Sequence, residues 1–81
     1  MRKMEWKITR ELLKQDVRNM YVAMYARGDE DTWDICWAVK KIAWKLSQET
    51  GFKQCRLKRI ASEVLTVEWR ELENLAFEQY F

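Results

Sequence analysis

Three tryptophans, Trp33, Trp37 and Trp44, recur within twelve residues of one another. At about 100° per residue they fall within about 40° of each other on a helix. Lys40 and Lys41 flank them, and Lys45 follows. Two chemistries suit this grouping. Indole rings stack on bases while lysines track phosphates. Tryptophan, tyrosine, methionine and arginine are also the residues enriched at the centres of protein interfaces. The basic run continues through Lys53, Arg56, Lys58 and Arg59, so a segment spanning 37–59 could bind RNA or single-stranded DNA. The competing reading is a solvated basic face with its tryptophans packed between helices, as large aromatics in small domains usually are.

Other chemistries find little support. The chain has no histidine, which removes imidazole acid–base and nucleophilic arrangements. It has no glycine-rich phosphate loop. Carboxylate pairs such as Glu71 and Glu78 fall on what reads as a solvated helix face. Cys36 and Cys55 lack the spacing of a zinc site and read as free thiols in a reducing compartment. A helix-turn-helix over Leu57–Tyr80 is rejected. Its second helix would carry Glu68, Glu71, Glu73 and Glu78 against Arg70 alone, and phosphates would repel it. No catalytic residue, metal ligand or cofactor is therefore expected.

The elements that must position these residues read as helices. The chain has 81 residues, no proline and two glycines, with 48% hydrophobic and 35% charged residues. That composition fits one globular helical domain, small enough to bury only about 60–65% of its unfolded surface. Residues 1–8 alternate Met4, Trp6 and Ile8 with charges and read as an extended arm or a fraying turn. A first helix over 9–27 follows, capped by Thr9, with Ile8 and Leu13 spaced as a hydrophobic staple. Its apolar stripe is Leu13, Val17, Met20, Tyr21 and Met24. Gly28 marks its stop.

The second helix, 32–49, is capped by Asp31 or Thr32 and ends before Gly51. It carries an aliphatic stripe of Ile35, Val39, Ile42 and Leu46, nearly opposite the tryptophans. A helix apolar on both sides lies between two layers, so this one is expected to be central or to meet a partner. Trp33 is expected to tuck against helix one, with at least one of the three tryptophans exposed. A third helix over 54–65 places Arg56, Lys58 and Arg59 in its first turn, against the macrodipole. The apolar stripe then jumps by about 100°. That jump predicts a break at Thr66 and a fourth helix over 67–79.

Charge is blocked along the chain although the net is only +2. Residues 1–27 carry seven basic and three acidic residues, and 28–39 four acidic and no basic. Residues 40–59 carry seven basic and one acidic, and 60–81 one basic and five acidic. The sequence thus predicts an all-α bundle of four helices with helix two central. No membrane span or signal segment is evident, which points to a cytoplasmic protein. The expected function is non-enzymatic binding of another macromolecule, foremost a protein, as an inhibitor or adaptor of phage or mobile-element type would do. A homodimer is compatible with the same surface. Trp37, Lys40, Lys41, Trp44, Lys45, Arg56, Lys58 and Arg59 are the expected binding residues.

Overall fold

A computed structural model of the chain describes residues 3–80, with side chains for 5–80. Three α-helices account for nearly all of it: α1 (Lys3–Ala26), α2 (Ile35–Thr50) and α3 (Gln54–Tyr80), with a short 3₁₀ turn, Glu30–Trp33, between the first two. The all-α prediction holds and the count of four helices does not. No strand occurs among the described residues.

Both glycines act as helix stops, as expected. Gly28 adopts a positive φ of 75°. Its N–H donates to the Tyr25 carbonyl at 3.0 Å, and that of Asp29 donates to the Met24 carbonyl at 3.1 Å. This is a Schellman closure, which satisfies carbonyls that the helix end leaves open. Gly51, at φ 77°, donates to the Ser47 carbonyl at 3.0 Å in the simpler left-handed form.

The N-terminal boundaries need correction. Residues 1–2 lie outside the described residues, but α1 is already helical at Lys3. Thr9 sits inside the helix and caps nothing, and Ile8 is exposed, so no staple with Leu13 forms. The early start has a tertiary cause. The Trp6 ring lies 6.1 Å from that of Phe52 and carries the Arg56 guanidinium at 4.6 Å. Those contacts anchor a turn that local alternation alone would leave extended.

At α2, Asp34 is the cap, in place of Asp31 or Thr32. Its backbone is extended (φ −133°, ψ 126°), and its Oδ1 accepts the N–H of Cys36 at 2.8 Å and of Trp37 at 3.4 Å. Asp29 instead caps the 3₁₀ turn, accepting the Asp31 N–H at 3.0 Å. Thr32 is locked into that turn, its hydroxyl donating to the Asp29 carbonyl at 2.7 Å.

The break predicted at Thr66 is absent, and α3 runs unbroken for 27 residues. Such a helix is about 40 Å long, which matches the 41 Å long axis of the molecule. The jump in its apolar stripe reflects two partners. Side by side, Val64 and Leu65 are both buried, because α1 and α2 pack on adjacent sides of α3. A helix covered on two sides buries a wider arc than one stripe. The early start of α1 supplies cover for a helix this long. Pairing of Trp6 with Arg56, Arg18 with Glu68 and Tyr25 with Phe77 shows that α1 and α3 run parallel.

α3, not α2, is therefore the central helix; α1 and α2 barely meet. The core is mostly aliphatic: Val17 and Met24 from α1, Ile42 and Leu46 from α2, Leu57, Val64 and Leu65 from α3, with the ring of Tyr21 buried between Val17 and Met24 along α1. Each is essentially inaccessible to solvent. At about 25 cal/mol per Å² of apolar area, this cluster is the main stabilising term.

Candidate functional site

Burying Ala38, Val39, Ile42, Ala43 and Leu46 fixes the rotation of α2 on α3. The opposite side of α2 has no neighbour. Trp37 is 59% exposed and Trp44 54% exposed. Trp33, expected to be tucked in, is the most exposed at 75%. Thr32 takes the inner place instead, with the buried Tyr21 hydroxyl donating to its carbonyl at 3.3 Å. The 3₁₀ turn then leaves the indole of Trp33 outside.

Of the eight residues expected to form one surface, the structure brings three together cleanly. Lys40 places its Nζ 5.2 Å from the centroid of the Trp37 ring, a cation–π contact that holds the lysine along the indole. Trp44 lies two turns further along the same side. Lys41 flanks them but is engaged elsewhere. Its Nζ lies 2.5 Å from Asp29 and 3.2 Å from Asp31. Hydrogen bonding to Lys41 holds the Asp29 carboxyl below its usual range, and the same two carboxylates raise Lys41. Lys45 turns toward α1, into a cleft with Asp16, Asn19, Met20 and Arg27.

Arg56 and Arg59 lie at the far end of the bundle, in a cleft with Trp6, Arg10 and Ile60. Lys58 is exposed on the first turns of α3. The segment 37–59 is therefore no continuous basic track, since its cations face three directions. Trp6 and Arg10 complete the arginine cleft, and nothing in the spacing of the sequence signals it. Only the early start of α1 brings them there.

The charge blocks find much of their use inside the fold. Glu63 pairs with Arg10 and with Lys14, the latter at 3.3 Å. Glu68 takes both arms of Arg18, at 2.8 and 3.0 Å. Side-chain hydrogen bonds, from Lys14 foremost for Glu63 and from Arg18 for Glu68, hold both glutamates below the usual carboxylate range. The basic face of α1 and the acidic face of α3 thus form one ionic seam.

Among the described residues no group of histidine, cysteine, aspartate or glutamate could hold a metal ion. Cys36 and Cys55 are free and exposed. Also among the described residues, no helix is long and apolar enough to cross a membrane. No protein-family model, curated protein or solved structure matches this chain.

Proposed function

We propose that this chain is a non-enzymatic binding protein that engages a protein partner through the outer face of α2. The observation that carries the reading is the exposure of Trp37 and Trp44 on the outer side of α2, with Trp33 also exposed on the 3₁₀ turn just before it. Exposed aromatic patches of this kind usually serve an interaction, and tryptophan is the residue most often found as an interface anchor. The geometry favours a protein over a nucleic acid. Lys40 is the one expected cation beside the exposed rings that carries no carboxylate, because Lys41 is spent on the acidic turn. A phosphate track needs several cations in line, and here they diverge.

The test is affinity capture from nuclease-treated lysate, comparing the parent with a Trp37→Ala/Trp44→Ala variant. Capture that survives nuclease and is lost in the variant supports the reading. Capture that disappears with nuclease, or that falls steeply between about 50 and 200 mM salt, assigns the surface to nucleic acid instead. Sedimentation of the isolated chain separates a homodimer from a foreign partner.

A further inference from the structure

Where α2 begins, it forms a groove with α3 of ≈ 420 Å³, lined by Tyr21, Trp33, Asp34, Ile35, Trp69 and Glu73 among others. Trp33 belongs both to this groove and to the exposed tryptophan set. The groove combines indole rings with two carboxylates, the exposed Asp34 and the half-buried Glu73, neither of which has an ion pair among the described residues. The acids of the α1–α3 seam and of the 3₁₀ turn are paired by contrast: Glu63 with Arg10 and Lys14, Glu68 with Arg18, Asp29 and Asp31 with Lys41. Among the described residues, the Glu73 carboxylate has only a long contact from the Tyr21 hydroxyl at 3.4 Å, and the single proton of that hydroxyl is shared with the Thr32 carbonyl at 3.3 Å. Asp34 uses Oδ1 to cap α2, and its second oxygen accepts no hydrogen bond among the described residues. The nearest cation along α3, Arg70, lies over the ring of Trp69 at 5.1 Å.

We propose that this groove receives an arginine side chain of the protein partner. The inference rests on the reading that the tryptophan face binds a protein, and it names the chemistry of the residue that enters beside that face. A guanidinium is flat, so it can lie against an indole, and its fork of donors matches a carboxylate. Arg70 over Trp69 shows that this ring already accepts a guanidinium on its face. Asp34 at the mouth adds a second negative charge, whereas Asp29 and Asp31 are taken up by Lys41. A neutral or acidic side chain would leave Glu73 shielded from water without a charge partner, at a desolvation cost.

A nitrogen-15 NMR titration of the full chain with Nα-acetyl-arginine amide tests this, with the neutral Nα-acetyl-citrulline amide as control. The expected result is saturable movement of the Trp33 and Trp69 indole N–H signals, with a dissociation constant on the order of 10 mM. Citrulline should give no saturable shift. Glu73→Gln should weaken arginine binding at least about tenfold, since a hydrogen bond to a charged group is lost. Trp33→Ala, at a side chain that contributes nothing to the core, provides a second variant and should also weaken it. Absence of a saturable shift, an equal response to citrulline, or unchanged binding in both variants overturns the proposal. If the probe fails while capture still depends on Trp37 and Trp44, the groove assignment falls and the face remains. If the probe binds but capture ignores those tryptophans, the guanidinium site stands and its link to the face falls.

Discussion

Lys41 and Lys40 are adjacent in sequence and do different work. Lys41 ties the Asp29 and Asp31 carboxylates to α2 and so holds the 3₁₀ turn, whereas Lys40 rides on Trp37 at the surface. Reversing both charges at once would therefore mix a structural loss with a binding loss, and Lys40→Glu alone is the clean probe of the surface. Asp29, Glu63 and Glu68 all have pKa values lowered by folding, from ordinary values of 3.8, 4.5 and 4.5. A lowered carboxyl pKa contributes stability that is fully present above the unfolded value and is lost as pH falls through the folded one. Melting temperature should thus hold from pH 8 down to about 5 and drop below about pH 4. Lys41→Met should flatten part of that drop. A melting series in which parent and variant lose stability identically in acid would show that the Asp29 pair contributes nothing. On the inner side of α2, Ile42 is fully buried, and Ile42→Ala should cost about 2–5 kcal/mol. Trp37→Ala should stay within about 0.5 kcal/mol, as surface changes do. Equal denaturation midpoints for the two variants would mean that α2 is rotated differently.

At the scale of elements, the sharpest contrast lies at Val67. If Thr66 capped a new helix, Val67 would be its first residue, where proline is welcome. In the unbroken α3, proline at 67 removes a hydrogen bond to the Glu63 carbonyl and clashes with it, at about 3 kcal/mol or more. Val67 is 78% exposed, so no packing loss confuses the result. We expect Val67→Pro to lower the denaturation midpoint strongly; a midpoint close to the parent's would restore the two-helix reading. The reason the sequence misleads here is physical. Its periodicity records which residues are buried and not by which neighbour, so one helix between two partners reads like two helices with offset stripes. Helix ends were more legible, because Gly28 and Gly51 need left-handed backbone that other residues resist. The start of α2 was less so, since Asp29, Asp31, Thr32 and Asp34 are all good caps and only the 3₁₀ turn selects the last.

Across the whole molecule, α3 serves as the shared wall, with α1 and α2 on adjacent sides. That layout leaves α2 covered on one face, and it accounts for the tryptophans without placing them in the core. The two-faced pattern of α2 was visible in the sequence, as was the exposure of at least one tryptophan; that Trp33 would be the most exposed was not, because only the 3₁₀ turn takes it out of the helix. The divergence of the basic residues was not, because the direction of each cation depends on which helix carries it and on where the acids of the fold lie. Opposite charge on α1 and α3 is drawn into the seam through Arg10, Lys14, Arg18, Glu63 and Glu68, so the blocks say less about a partner than their size suggests. The aromatic side of α2 is left exposed, with no neighbour among the described residues. Iodide quenching of tryptophan fluorescence, measured on the free monomer and again in the captured complex, tests this most directly. We expect strong quenching in the monomer, most of it removed by replacing Trp33, Trp37 and Trp44 with phenylalanine, and marked protection of the parent in the complex. Indoles shielded in the free monomer, or equally quenched with the partner bound, would contradict that expectation.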